Sequence, residues 1–212
     1  MLEKLKTLEK LHSSKLVAVI RGDSDISAIK TADACIKGKI TSIELTFTTP
    51  HADQVIEKLC NSFKHYPDVI IGAGTVLDSE SARLAIIAGA RFIVSPSFNI
   101  NVAKLCNLYS VPYIPGCFSP SEIQSALESG VDIVKIFPSA VMGQNIIAEL
   151  KGPFPKLNIM PSGGINLNNL KEWIKAGAFA VGIGGSLVKP AENNDFDGVT
   201  QNAIKFNSEL IL

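Results

Sequence analysis

The chain has 212 residues, 46% hydrophobic and 19% charged, which suits one compact globular domain with a sizeable core. Its 20 basic and 20 acidic side chains cancel, so no net field recruits nucleic acid or an anionic membrane, and an anionic partner must be held by a local site. No apolar run reaches the roughly 18 residues of a membrane span, and the first segment, with Glu3 and Glu9 among its lysines, lacks the uninterrupted apolar stretch of a secretion signal.

Residues 2–11 pattern as a helix, followed by a strand at 16–20 that ends in Arg21. A helix over 24–37 closes at Gly38 and leads to a second strand at 42–47. Period-two alternation there turns Ile43, Leu45 and Phe47 toward the helices and Ser42, Glu44 and Thr46 inward. A carboxylate aimed into a packed interior costs several kcal/mol unless it is paired or solvated, so Glu44 is a candidate site residue. A register shifted by one would instead leave it at a solvated strand end.

After a helix over 52–64, the strand at 69–73 runs into Gly72-Ala73-Gly74-Thr75. Glycines let a ligand approach the backbone, and Thr75 offers a hydroxyl, although a tight turn would use the same residues. Asp78 or Ser79 starts a helix over 79–88 that ends at Gly89. A strand at 91–95 continues into Pro96 and Ser97, which form either a cavity wall or only a loop. The fifth strand, 112–115, is followed by Cys117 and by Ser119-Pro120-Ser121-Glu122, which places proline at the first position of a helix over 119–129 closed by Gly130.

The sixth strand, 132–137, carries Lys135 on the same side as Ile133 and Phe137. Burying a lysine disfavours its ammonium form and frees a nucleophilic amine, which attacks ketones to form a Schiff base. An edge lysine laying its stem along apolar surface is the competing reading of this window. Strands at 157–160 and 179–183 flank a helix over 167–176 closed by Gly177. They end in Pro161-Ser162-Gly163-Gly164-Ile165 and Gly182-Ile183-Gly184-Gly185-Ser186, and paired glycines on neighbouring loops suit phosphate capture through backbone N–H groups. Residues 199–212 form a last helix.

Eight strands start about 20 to 27 residues apart, with helices between them. This rhythm predicts a single (β/α)8 barrel domain over residues 1–212, the first helix covering its bottom. A doubly wound open sheet is the second choice, but Arg21-Gly22-Asp23 does not make the glycine fingerprint expected after its first strand. His12, His51 and His65 stand apart from one another, so no metal site is expected. Cys35, Cys60, Cys106 and Cys117 show no metal or disulfide spacing and read as reduced thiols of a cytoplasmic protein, Cys117 as a packed one. Trp173 shares a helical stripe with Leu170 and Ile174, in the core or at a subunit contact.

In order and spacing, these pieces resemble the 2-keto-3-deoxy-6-phosphogluconate aldolase family, whose bacterial members often also cleave 4-hydroxy-2-oxoglutarate. They are Val19-Ile20-Arg21, Glu44-Leu45-Thr46-Phe47, Gly72-Ala73-Gly74-Thr75, Ser95-Pro96, Pro115-Gly116, Val134-Lys135-Ile136-Phe137-Pro138 and the two glycine loops. The resemblance implies Lys135 as the Schiff-base lysine and Glu44 as the acid/base. It implies Arg21 and Thr75 at the keto-acid carboxylate, with Pro96 and Phe137 beside the bound pyruvate unit. Ser162, Gly163, Gly164, Gly184, Gly185 and Ser186 would hold the distal phosphate. It further implies no cofactor, a 2-keto acid and a phosphorylated aldehyde as small-molecule partners, and a homotrimer. Thr48 stands where some members carry an arginine, so substrate binding leans more on Arg21 and a preference for phosphorylated substrate is implied less strongly. The galactonate-derived epimer of the substrate, a phosphosugar isomerase on the same barrel and a non-catalytic phosphate-binding module are the rival readings.

Overall fold

The computed structural model describes residues 2–210, so the last two residues of the predicted 199–212 helix lie outside the described residues. The strands are β1 (Leu16–Ile20), β2 (Ser42–Thr46), β3 (Ile70–Gly74), β4 (Ile93–Val94), β5 (Tyr113–Ile114), β6 (Gly116–Cys117), β7 (Val134–Ile136), β8 (Ile159–Pro161) and β9 (Val181–Ile183). The helices are α1 (Glu3–Ser14), α2 (Asp25–Lys37), α3 (Ala52–Ser62), α4 (Ser79–Ile87), α5 (Ile100–Leu108), α6 (Pro120–Glu128), α7 (Ser139–Met142), α8 (Ile146–Lys151), α9 (Leu170–Lys175), α10 (Gly185–Val188) and α11 (Phe196–Ser208). Each predicted strand is present, though most are trimmed at an end.

The strands pair in parallel, in the orders β5-β4-β3-β2-β1-β9 and β6-β7-β8. The result is an α/β fold with a curled parallel sheet recorded in two pieces, where the sequence predicted one ring of eight. The division falls at Pro115, the last residue of the predicted fifth strand, which has no N–H to give to a ladder. β5 pairs with β4 before it and β6 with β7 after it, while the Pro115 carbonyl accepts the Lys135 N–H at 2.8 Å. At the other edge, Ser162 and Gly182 form a single parallel bridge and the Phe179 N–H donates to the Ile159 carbonyl at 2.8 Å.

Side-chain alternation sorts the core into two parts. Ile43, Leu45, Val134 and Ile136 join the large cluster between the sheet and its helices. Val17, Ile70, Phe92, Val94, Ile114, Ile133 and Met160 fill the inner face, closed at one end by Leu11 of α1. α1 therefore covers the bottom as the sequence predicts, and ion pairs Glu3–Arg91 (2.5 Å) and Lys4–Asp132 (2.8 Å) tether it.

The helix starts follow the sequence closely. The Asp78 carboxylate accepts the Ser81 N–H, and Ser119 and Glu122 form a reciprocal capping box at the start of α6. Gly89, Gly130 and Gly177 take positive φ after their helices, as expected of C-terminal glycines. Gly38 does not: its φ is −80°, and Lys39 takes the left-handed turn instead. Glycine is required there because a Cβ would overlap Ala203 and the Thr200 carbonyl of α11. Trp173 is buried in the core, 2% exposed, so it is not a subunit contact.

Candidate active site

Alternation along β2 and β7 brings Glu44 and Lys135 to the inner face from different pieces of the sheet. Both are buried, and Lys135 Nζ lies 3.7 Å from Glu44 Oε1, close enough for an ion pair and too far for a hydrogen bond. Neither Glu44 oxygen has a hydrogen-bond partner among the described residues. Taking a carboxylate out of water with so little compensation is unfavourable, and such groups gather where chemistry needs them. Gly74 makes the room, since a Cβ on it would overlap the Glu44 carboxylate. Phe137 sets its ring 5.1 Å from Lys135 Nζ. Ser42, inward at the opposite end of β2, is paired with Ser14 at 2.9 Å and takes no part here.

The lysine and glutamate open into a cavity of about 780 Å³ at the carboxyl ends of the strands. Its wall contains Arg21, Glu44, Thr75, Pro96, Lys135, Phe137, Ser162, Gly163, Gly164, Gly184, Gly185 and Ser186. These are the residues that the sequence nominated, brought together from strand ends up to about 165 residues apart. Thr75 holds φ at 53°, a strained conformation for a β-branched residue that persists where surrounding structure enforces it. The Ser95 hydroxyl faces away and donates to the Val76 carbonyl at 2.5 Å, so of that segment Pro96 forms the wall. Cys117 is buried off the wall, and burial pushes its thiol up to about 12, as a packed thiol requires.

The first glycine loop is oriented by its carbonyls. The Ser139 N–H donates to Ser162 O (2.9 Å), and the Ser139 hydroxyl and Ala140 N–H both donate to Gly163 O (2.7 and 3.0 Å). Asn169 Nδ2 donates to Gly164 O at 2.9 Å. With the carbonyls engaged on one side, the N–H groups of Gly163, Gly164, Gly185 and Ser186 find no acceptor among the described residues. Gly163 and Gly164 hold φ at 89° and 86°, which glycine alone adopts without strain. The Ser186 hydroxyl donates to the Ile165 carbonyl at 2.6 Å and ties the two loops together. The Ser186 backbone N–H meets no acceptor among the described residues.

Val19, Ile165, Asn166, Val188 and Glu192 also line the cavity and were not nominated as site residues from the sequence. Val19 was legible, since it shares an alternation with Arg21. Glu192 lies in a short 3-10 segment, Lys189–Asn193, with no periodic signal to mark it. Among the described residues, no group of three or more His, Cys, Asp or Glu is placed to hold a metal ion.

A curled parallel α/β fold with a buried lysine–glutamate pair and two donor-rich glycine loops defines a small-molecule enzyme site. Residues 7–202 match the family described as KDPG and KHG aldolase, and the chain belongs to that family. It is similar to the 2-dehydro-3-deoxy-phosphogluconate aldolases of Treponema pallidum, 38% identical, and Haemophilus influenzae, 37% identical. Each alignment runs over 196 residues and covers 91% of both chains. Among solved structures, it is similar to KDPG aldolase from Legionella pneumophila with pyruvate captured as a covalent carbinolamine intermediate. That match has a TM-score of 0.83 and 30% identity, and it covers 93% of this chain and 96% of the other.

Proposed function

We propose that the chain is a class I aldolase that cleaves 2-keto-3-deoxy-6-phosphogluconate to pyruvate and glyceraldehyde 3-phosphate. The buried Lys135–Glu44 pair facing the cavity carries this reading. The Lys135 amine adds to the C2 ketone, and loss of water leaves an iminium cation. Glu44, directly or through a water, accepts the C4 hydroxyl proton as the C3–C4 bond breaks and its electron pair enters the iminium. The aldehyde departs, protonated Glu44 returns its proton to C3 of the resulting enamine, directly or through the same water, and hydrolysis returns pyruvate and the free lysine. Arg21 and Thr75 hold the carboxylate, Pro96 and Phe137 flank the pyruvate unit, and the free N–H groups of the glycine loops with Ser162 take the phosphate.

The same chemistry serves 4-hydroxy-2-oxoglutarate, giving glyoxylate in place of the phosphorylated aldehyde. The galactonate epimer differs at one hydroxyl and is the second substrate to try. A phosphosugar isomerase would need a second acid/base beside Glu44, and the cavity wall supplies Glu192 only at its exposed rim.

We further propose that the two sheet pieces form one (β/α)8 barrel and a single domain over residues 1–212. The continuous chain through Pro115 and the Ser162–Gly182 bridge support closure. A homotrimer is proposed from the family resemblance, and exposed Leu84, Ile87 and Leu108 on α4 and α5 offer apolar surface for it. Among the described residues, no helix is long and apolar enough to cross a membrane. A cytoplasmic site is proposed from the four scattered, unpaired cysteines.

The test of the reaction is incubation with pyruvate and borohydride followed by peptide mass mapping. A reduced pyruvyl adduct on Lys135 is expected. Folded, pyruvate-binding protein with Lys135 unmodified would overturn the mechanism.

A further inference from the structure

Arg21 reaches the cavity from the end of β1, yet its guanidinium makes no hydrogen bond or ion pair among the described residues. Arg21 is exposed, so where its guanidinium can reach depends on the backbone that carries it. The β1–β2 register ends at Ile20 with Leu45, and the next anchor is the Gly22 N–H, which donates to the Thr49 hydroxyl at 3.1 Å. No other acceptor serves that N–H among the described residues. Thr49 is 3% exposed and is absent from the cavity wall. Its own N–H donates to the Thr46 carbonyl at 3.0 Å, so the hydroxyl is held by a turn leaving the strand that carries Glu44. On the other side Gly22 is packed against α2, where a Cβ would lie 2.9 Å from the Ala28 Cβ and 3.0 Å from the Ser24 carbonyl. The residue after Arg21 is thus clamped between α2 and Thr49.

We propose that Thr49 is a positioning residue for Arg21, setting the affinity for the keto-acid carboxylate without touching it. The inference rests on the reading of Arg21 as the carboxylate clamp. Through Thr49, the cation at the end of β1 is held in register with the carboxylate on β2, so one rigid pair of strands presents both. Loss of the hydroxyl leaves the Gly22 N–H unmet, the loop moves to find water, and the guanidinium moves with it.

The experiment measures the pyruvate concentration that half-saturates borohydride trapping on Lys135. Variants are Thr49→Val, Thr49→Ala, Thr49→Ser and Arg21→Ala, with Thr49→Val also made in the Arg21→Ala background. Thr49→Val and Thr49→Ala are each expected to raise half-saturation by roughly tenfold while the limiting trapping rate stays within about twofold. Thr49→Ser restores the parental value. In the Arg21→Ala background, Thr49→Val is expected to change nothing further, the signature of one residue acting through the other. Parental half-saturation in both Thr49→Val and Thr49→Ala would overturn the proposal, as would an equal shift with and without Arg21. If Arg21→Ala itself leaves half-saturation unchanged, the carboxylate-clamp reading fails and the inference falls with it. An Arg21 effect without a Thr49 effect defeats the inference alone.

Discussion

Replacing Glu44 by glutamine keeps the size of the side chain and removes its ability to accept a proton. The structure makes this a clean perturbation: the carboxylate is fully buried, it accepts no hydrogen bond among the described residues, and it rests on Gly74 in a space an amide also fits. No hydrogen bond is cut; what is lost is the negative charge 3.7 Å from Lys135 Nζ and, on the proposed mechanism, the base. General acid–base catalysis contributes about two to four orders of magnitude, which is about 2.7–5.4 kcal/mol of barrier at about 1.36 kcal/mol per tenfold. Exchange of the pyruvate methyl protons with deuterated water, followed by NMR, isolates the proton step from aldehyde binding. Glu44→Gln is expected to slow exchange by about 10²- to 10⁴-fold, while borohydride still traps pyruvate on Lys135. Exchange at the parental rate refutes the assignment. Equal losses of exchange and trapping would also refute it, because Glu44 would then serve the lysine and not the proton transfer.

Gly74→Ala tests the same carboxylate sterically, since the added methyl overlaps it. Turnover is expected to drop by about 10²-fold, with about 1–3 kcal/mol lost from stability by overpacking; parental turnover would mean Glu44 is not where it is needed. Glu122 offers a pH prediction. N–H groups of Phe118 and Ser119 donate to its carboxylate at 2.7 and 2.8 Å and hold it below the usual carboxylate range. A depressed folded value means the stabilisation is present above the unfolded value of about 4.3 and is lost as pH falls through the folded one. The unfolding midpoint of the parent is expected to exceed that of Glu122→Gln near neutrality, with the gap closing below about pH 4; a gap that persists in acid would contradict this account.

Much of the site was legible before any fold was known. Side-chain direction in a strand is a local property, so alternation alone placed Glu44, Lys135 and Ile133 inward and Ile43 and Val134 outward. Capping is equally local, and Ser119 and Glu122 satisfy each other within one turn. The repeated strand–helix rhythm set the order of the elements. It did not reveal that the ladder is interrupted at Pro115, with β5 laddered to β4 and β6 to β7, because which neighbour a strand bonds to is not written in its own pattern.

The sequence by itself determined which residues face inward and which turns carry glycine, because backbone geometry converts those choices within a few residues. Tertiary structure alone decided that Gly38 must be glycine for the sake of α11, that the Ser186 hydroxyl goes to Ile165, and that Glu192 reaches the rim of the cavity. It also set the 3.7 Å between Lys135 and Glu44. Those are relations between elements far apart in the chain, and they exist only once the curl of the sheet has fixed how far each strand end lies from the next.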